Sequence, residues 1–249
     1  MLSFVIPAYN EAALIGRTIR SIHDAMRTIE TTIEHEIVVA DDASTDATQS
    51  IAREHGACVV PVEHRQIAAT RNSGARHAAG KWLIFVDADT MVTPDAVRGA
   101  VDAMRKGASG GGCRVRFDGR IPLYARLMLP PMMILYRVVG IASGSFLFCT
   151  REAFERSGGF DESYYASEEL WMSRAIKAQG RFVFLRAHVV TSGRKLRAHT
   201  GREIGAVMLR LALKGRRGVR RREGLDIWYG ERRIDPEAHP ENTRDGSGS

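Results

Sequence analysis

Trp82-Leu83-Ile84-Phe85-Val86-Asp87-Ala88-Asp89 is the stretch of the sequence that decides the fold. Its apolar part, residues 82–86, has no polar face, which is typical of a strand buried on both sides of a parallel sheet. Two aspartates follow at alternate positions. Because ligands of open parallel sheets bind at the carboxyl ends of the strands, the stretch predicts both a central strand and a site at its end.

Shorter apolar runs precede this strand, and helical patterns separate them. The predicted strands are 4–6, 36–40 and 58–61; the predicted helices have Asn10 and Ser44 as N-caps or span 67–79. Strands that alternate with helices form βαβ units. The sequence therefore predicts an α/β protein with a Rossmann-like, mostly parallel sheet flanked by helices.

Polar clusters follow the first, second and fourth predicted strands. They are Pro7-Ala8-Tyr9-Asn10-Glu11, Asp41-Asp42-Ala43-Ser44-Thr45-Asp46 and Asp87-Ala88-Asp89. Because the carboxyl ends of parallel strands share one edge of the sheet, we expect the three clusters to converge there.

Asp87 and Asp89 provide hard oxygen ligands of the kind that Mg²⁺ or Mn²⁺ uses when it also binds a diphosphate. The alternative is that Asp89 only caps the helix that begins near Thr93-Pro94.

Asp41 and Asp42 could accept hydrogen bonds from a nucleobase N–H or from ribose hydroxyls. The alternative is a plain helix start, since Ser44 and Asp46 are good capping and first-turn residues. Arg71 could bind phosphate through both guanidinium N–H edges, or it is a solvated helix residue.

The composition and the charge of the chain exclude several classes of protein. Of the 249 residues, 44% are hydrophobic and 26% charged, which excludes a disordered or fibrous chain. Three widely spaced cysteines make a disulfide framework or a zinc site improbable and fit a reducing compartment. The net charge is +7, but residues 181–249 contain 16 Lys and Arg against 8 Asp and Glu, and residues 1–180 contain 20 against 21. The surplus of positive charge therefore lies in the C-terminal part.

In their order and spacing, these motifs resemble glycosyltransferase family 2. The motifs are 5–11, 38–46, 71–74, 85–89, 158–162 and 168–170. The resemblance covers roughly residues 3–195. It implies a GT-A fold, a nucleotide-sugar donor such as a UDP- or GDP-sugar, a divalent metal (Mg²⁺ or Mn²⁺), and inversion at the anomeric carbon.

The resemblance also implies roles for individual residues. Nucleotide-binding residues would be Pro7, Tyr9, Glu11, Asp41, Asp42, Arg71 and Asp87, with Arg194 in a basic loop over the diphosphate. Metal ligands would be Asp89, Asp87 and, as in some relatives, a late histidine, His188. The catalytic base would be Glu169, with Glu168 as the other candidate, because this chain has Glu-Glu where the family more often has Glu-Asp.

The basic C-terminal part suggests a separate element. Residues 203–213 have a helical apolar pattern, and a basic run, 214–222, follows. We predict a catalytic domain over 1–200, a basic helical extension over 201–235 and a disordered tail over 236–249. The extension either lies on an anionic membrane surface, with a lipid-linked rather than a carbohydrate acceptor, or packs on the sheet.

Two other functions are weighed against the transferase. A sugar-phosphate nucleotidyltransferase would use a similar metal site, but it usually has a Gly-rich basic loop after the first strand, which residues 7–10 do not provide. A basic nucleic-acid-binding protein would leave the carboxylates at the strand ends unexplained, because they repel phosphate. We therefore expect no nucleic-acid partner. The N-terminal residues lack the pattern of a signal peptide, so we expect a cytoplasmic protein, free or peripheral on the inner face of the membrane.

Overall fold

One eight-stranded sheet organises the structure, a computed structural model that describes residues 1–29, 33–214, 216–220, 222–225 and 229. The strands are β1 (Leu2–Ala8), β2 (His35–Asp42), β3 (Cys58–Val62), β4 (Trp82–Val86), β5 (Thr90–Met91), β6 (Gly110–Phe117), β7 (Phe146–Thr150) and β8 (Phe182–Thr191). The helices are α1 (Ile15–Thr28), α2 (Thr48–Glu54), α3 (Ile67–His77), α4 (Pro94–Arg105), α5 (Leu123–Val139), α6 (Arg151–Arg156), α7 (Glu168–Gln179), α8 (Arg194–Ala198), α9 (Gly201–Lys214) and α10 (Arg216–Val219).

The strand order is β3-β2-β1-β4-β7-β6-β8-β5. The first four strands are parallel, whereas β7 runs antiparallel to both of its neighbours. The predicted α/β class, with strands and helices alternating in the first half of the chain, is confirmed. The mixed second half was not specified by the sequence.

β4 lies in the middle of the sheet, and its side chains pack alternately into two cores. Leu83 and Phe85 join the apolar side chains of α3, α6 and α7 on one face. Ile84 and Val86 join those of α1 and α4 on the other. All four side chains are fully buried. Burial on both faces explains why residues 82–86 are uninterruptedly apolar.

Gly74 sets the distance between α3 and the sheet. A Cβ atom at this position would lie 2.6 Å from Cγ1 of Val5, so only glycine lets the helix approach β1 this closely. The approach places α3, and with it Arg71, against the carboxyl ends of β1 and β4.

Two predicted helix caps are wrong. α1 begins at Ile15 and α2 at Thr48, and neither has a side-chain cap from Asn10 or Ser44. Instead, the Asn10 N–H donates to Oγ of Ser44 and its side-chain oxygen accepts from the Thr45 N–H. These polar residues join the loops that follow β1 and β2, which fixes one wall of the site.

The C-terminal helices α9 and α10 lie within the predicted extension 201–235. Part of this segment packs back on the body: Val219 and Leu225 form a small apolar cluster with Tyr164 and Ala166. The predicted tail, 236–249, lies outside the described residues. Within the part of the chain that is described, no helix has both the length and the apolarity needed to cross a membrane.

Candidate functional site

Polar residues from several strand ends meet at the carboxyl edge of β1, β2 and β4. Asp87 and Asp89 directly follow β4, Tyr9 and Glu11 follow β1, and Asp41 and Asp42 are the last two residues of β2. The alternative role for Asp89 is excluded, because Thr93 caps α4 by accepting a hydrogen bond from the Ala96 N–H.

Arg71 joins two of the predicted carboxylates. From α3, its Nη1 donates to Glu168 Oε1 at 2.6 Å and its Nη2 donates to Asp87 Oδ1 at 2.8 Å. Burial disfavours the charged guanidinium, but Asp87 and Glu168 outweigh this effect and raise the pKa of Arg71. Arg71 is therefore a buried permanent cation that positions two carboxylates, rather than a solvated helix residue.

Gly144 completes the surroundings of Arg71. Its carbonyl accepts from Arg71 Nη2 at 3.2 Å, and a Cβ atom here would lie 2.9 Å from that same nitrogen. A side chain at position 144 would thus require the guanidinium to shift.

Arg194 makes a second cationic contact on the same edge. Its Nη2 lies 2.5 Å and 2.6 Å from the two oxygens of Glu11 and 3.1 Å from Asp89 Oδ2. Burial opposes the charge, but Glu11 and Asp89 together raise the pKa of Arg194. The predicted basic loop thus reaches the end of β4, where its charge is neutralised by the carboxylates that the sequence pointed to.

The two glutamates at the start of α7 have different surroundings. Glu168 is buried against Arg71, and burial and the arginine act on its pKa in opposite directions. Burial and the nearby Glu168 raise the pKa of Glu169 to about 8. A neighbouring phenol on α5, Tyr136, has its own pKa raised to about 12 by burial and by Glu169. The pKa of both glutamates is thus raised, and of the two it is Glu168 that forms the ion pair with Arg71.

Asp41 and Asp42 also differ. Asp42 accepts from the backbone N–H groups of residues 64, 65 and 66 and from the Thr70 hydroxyl, so both of its oxygens hold the loop before α3. Asp41 uses Oδ2 to accept from the Ser44 N–H and the Gln49 amide. Its Oδ1 is buried without a hydrogen-bond partner among the described residues. That oxygen is an acceptor available to a ligand N–H.

Sequence reasoning missed Arg65, which follows β3 at the same edge. Its guanidinium carbon lies 4.4 Å from the centre of the Tyr9 ring. The sequence offered one usable pattern: a polar stretch, 63–66, after the third strand. Arg65 also has a positive φ of 51°.

Left-handed backbone conformations surround the site. The non-glycine residues with positive φ are, in the described ranges, Asn10, Ala43, Arg65 and Ser167. The first three follow β1, β2 and β3, and the fourth precedes Glu168. Each conformation costs on the order of 1 kcal/mol for a residue with a Cβ, and such costs concentrate where backbone must serve a ligand.

The structure does not bring His188 to the two aspartates. It lies on β8 three residues before Thr191, whose hydroxyl faces Asp89 Oδ1 at 3.3 Å. Because side chains alternate along a strand, His188 is on the opposite face. No group of three or more His, Cys, Asp and Glu that could hold a metal occurs among the residues described.

Asp87 and Asp89 nevertheless fit a divalent cation that draws its other ligands from a bound diphosphate. Asp87 is about one-third exposed, at 33%, and its Oδ2 has no protein partner within the described chain. Asp89 is held by Thr191 and Arg194. One or two carboxylates, with the other ligands from phosphate and water, are the donor set that Mg²⁺ or Mn²⁺ uses. The open oxygen here is Oδ2 of Asp87, whereas both oxygens of Asp89 already accept hydrogen bonds. Pro7, which pairs with Ala40 in the sheet, lies on the β1 strand leading into this edge.

Comparison with known proteins shows which family has the same sequence motifs. The family model "Glycosyl transferase family 2" matches residues 3–158. The chain is 34% identical over 138 residues to validoxylamine A glucosyltransferase of Streptomyces hygroscopicus subsp. jinggangensis; the match covers 49% of this chain and 30% of that relative. The chain thus spans about a third of the length of that relative.

Solved structures share the fold. The mannosyltransferase PcManGT from Pyrobaculum calidifontis, in complex with GDP-Man and Mn²⁺, superposes with a TM-score of 0.63 at 23% identity, covering 86% of this chain and 62% of that one. TarS residues 1–349 of S. aureus, in complex with UDP-GlcNAc, superposes with a TM-score of 0.61 at 19% identity, covering 77% and 58%. The predicted GT-A fold is therefore confirmed.

Proposed function

The chain belongs to glycosyl transferase family 2, and on that premise we propose that it transfers a sugar from a nucleotide-sugar donor to an acceptor hydroxyl, with a divalent metal and with inversion. One observation carries the proposal. Arg71 holds Asp87, which lies beside the candidate metal ligand Asp89, and Glu168, which lies beside the candidate base Glu169. The groups that a donor diphosphate and an acceptor hydroxyl need are thus joined in one site.

The donor nucleotide would bind across the ends of β1 and β2. The unpartnered Oδ1 of Asp41 would accept a base N–H, and Tyr9, stacked with Arg65, would contact the base or ribose. Pro7 would form the floor of this pocket. Asp42 would act through the loop before α3, since both of its oxygens already accept protein hydrogen bonds. The donor would be a UDP- or a GDP-sugar, the two kinds of donor bound in the two superposed structures.

Asp89 and Asp87 would hold the Mg²⁺ or Mn²⁺. When bound, the metal would supply positive charge to the departing diphosphate. Arg194 would add charge from the other side, because its guanidinium already reaches Asp89 and Glu11. His188 has no place in this set, given its position on the opposite face of β8.

Glu169 would take the proton from the acceptor hydroxyl as its oxygen attacks the anomeric carbon. Glu168 would not serve this step, because Arg71 engages it. Attack from the side opposite the leaving diphosphate, with a single carboxylate as base, inverts the configuration. The raised pKa of Glu169 makes its carboxylate a stronger base than that of an ordinary glutamate.

The remaining proposals concern organisation and partners. Residues 1–200 would form the catalytic domain, followed by the basic extension to 235. The acceptor would be a carbohydrate or a lipid-linked hydroxyl. The enzyme would be cytoplasmic and peripheral on the anionic inner face of the membrane.

A nucleotide panel tests the proposal. Thermal unfolding of the full chain would be followed with UDP-, GDP- and other nucleotide sugars, each with and without Mn²⁺. We expect one nucleotide class to raise the melting temperature. Asp89→Ala should remove the Mn²⁺-dependent part of that rise, measured from the melting temperature of the unliganded variant, which should be lower than that of wild type because Arg194 and Thr191 lose a partner. Asp24→Ala, on the exposed side of α1, is the matched control and should behave as wild type.

Other outcomes would favour the competing functions. Stabilisation by nucleoside triphosphates, with pyrophosphate released from a triphosphate and a sugar 1-phosphate, would indicate a nucleotidyltransferase. Stabilisation by oligonucleotides alone would indicate a nucleic-acid-binding protein. An Asp89→Ala variant with full transferase activity would refute the metal assignment.

A further inference from the structure

The outer face of α5 carries almost all of the large apolar side chains that the described structure leaves exposed. Leu123, Leu127, Ile134 and Val138 are 70%, 69%, 63% and 78% exposed. Their spacing of four, seven and four residues puts them in one stripe along the helix. The stripe is about 22 Å long at the rise of an α-helix. Contiguous apolar surface of this kind marks a binding face.

Residues of α5 that lie outside the stripe contact the body of the protein. Ala125 is buried, and the Tyr124 hydroxyl donates to the carbonyl of Leu196 at 2.6 Å. Tyr136 is partly buried, and burial and the charge of Glu169 raise its pKa. These contacts lie outside the stripe of Leu123, Leu127, Ile134 and Val138, which faces away from the body. An amphipathic helix of a soluble surface would have the reverse orientation.

The charges around the stripe identify its partner. Residues 119–151 contain no Asp or Glu, whereas Arg126 and Arg137 lie on one edge of the helix, about 80° from the stripe at 100° per residue. Both arginines are exposed. Apolar side chains flanked by arginines match a bilayer interface with anionic headgroups, in which the long basic side chains reach back to phosphate. A two-fold contact between copies of this chain would instead bring like charges together.

Pro130 and Pro131 fit an interfacial position. Lacking N–H groups, they leave the carbonyls of Arg126 and Leu127 without helical partners. Such carbonyls remain hydrated at the headgroup level but would be unsatisfied in the hydrocarbon core. The helix is thus suited to lying on a membrane and not to crossing it.

We propose that the outer face of α5 is the surface by which this protein docks on an anionic lipid bilayer. The docking element is then α5, and not the basic run 214–222, for which the sequence left membrane contact and packing on the sheet equally open. Because Tyr136 lies on the inner side of the same helix, docking would hold the Glu169 side of the site close to the membrane. The inference deepens the proposed membrane contact, but it can be tested without any transferase activity.

Vesicle binding tests the proposal directly. The full chain, without donor, would be sedimented with vesicles of phosphatidylcholine alone and of phosphatidylcholine mixed with phosphatidylglycerol. The variant Leu127→Ser/Ile134→Ser/Val138→Ser should lower the partition coefficient at least about tenfold, because three exposed apolar side chains are lost. Its far-ultraviolet circular dichroism and melting temperature should equal those of wild type, since none of the three side chains is buried.

Two double variants that remove the same number of positive charges show whether binding depends on the arginines beside the stripe or on the net charge of the protein. Arg126→Gln/Arg137→Gln should weaken binding to the anionic vesicles about ten- to thirtyfold and leave binding to neutral vesicles little changed. Arg27→Gln/Arg156→Gln removes the same charge from exposed positions on α1 and α6 and should bind like wild type. As a second measurement, the fluorescence emission of Leu127→Trp should shift to shorter wavelength when anionic vesicles are added.

Three results would overturn the proposal. One is wild-type vesicle binding by the triple serine variant, with no fluorescence shift for Leu127→Trp. Another is loss of binding in Arg220→Gln/Arg222→Gln while the serine variant binds normally, which would return the contact to the C-terminal run. The third is a wild-type dimer that ignores vesicles and that the serine variant converts to a monomer.

Discussion

Substitution of Glu169 by glutamine should raise the stability of the protein and lower its activity. The folded-state pKa of Glu169, about 8, lies above the ordinary value of 4.5, so the folded state holds a proton that the unfolded state releases. The resulting stabilisation is complete below pH 4.5 and is lost as the pH rises towards 8. Glu169→Gln cannot ionise and should unfold with a free energy about 1–3 kcal/mol higher than wild type at pH 9, with a smaller difference at pH 5. Denaturant titrations at the two pH values measure this.

The same substitution should remove catalysis. Because a glutamine cannot accept the acceptor proton, kcat should fall by about 10²–10⁴-fold while donor affinity is retained. Glu168→Gln is the neighbouring control: it leaves the buried Arg71 charge poorly compensated and should destabilise the protein at both pH values by about 2–4 kcal/mol. Undiminished turnover by Glu169→Gln would assign the base elsewhere.

At the scale of elements, two adjacent aspartates at the end of β2 should have opposite roles. Asp42→Ala removes the acceptor for three backbone N–H groups in the loop before α3, which should cost about 2–4 kcal/mol of unfolding free energy. Asp41→Ala loses two protein hydrogen bonds and removes a buried oxygen that has no partner among the described residues, so it should cost less stability but weaken nucleotide binding. Denaturation and calorimetry with UDP and GDP separate the two effects. Equal losses of nucleotide affinity in both variants would contradict the distinction.

The elements that could be predicted were those decided by local pattern. β4 was predicted over the residues it occupies, because burial on both faces leaves an unbroken apolar run. The caps of α1 and α2 were predicted wrongly. Asn10 and Ser44, which are 34 residues apart in sequence, form a hydrogen bond between two loops instead. Capping residues predict a helix start only when no such distant partner competes for them.

At the scale of the whole molecule, the site depended on pairings that no single stretch reveals. Arg71 and Glu168 are 97 residues apart, and Arg194 and Glu11 are 183 apart. The motifs indicated which carboxylates matter, but not which cation each would contact. The basic residues of the C-terminal part likewise have different surroundings in the fold. Arg194 lies in the site, whereas Arg220 stacks over the Tyr164 ring.

The C-terminal segment should support the catalytic helix through the loop before α7. Leu225, 1% exposed, packs beside Tyr164 and Ala166, and the Tyr229 hydroxyl donates to the Tyr165 carbonyl at 2.8 Å. Leu225→Ala should leave a cavity that costs about 2–4 kcal/mol. Hydrogen exchange over residues 161–170 should become faster, and kcat should fall more than donor affinity, because that loop precedes Glu168 and Glu169.

Two control variants show whether the effects of Leu225→Ala come from the cavity that it leaves. Leu123→Ala makes the same chemical change at an exposed position of α5 and should alter stability by less than about 0.5 kcal/mol. Tyr229→Phe keeps the ring but loses one hydrogen bond, at a cost of about 1 kcal/mol. If Leu225→Ala left both exchange over 161–170 and kcat unchanged, the segment would merely cover the domain. If it slowed turnover as expected, the chain beyond residue 200 would be part of the catalytic unit, since the orientation of Glu169 would depend on it.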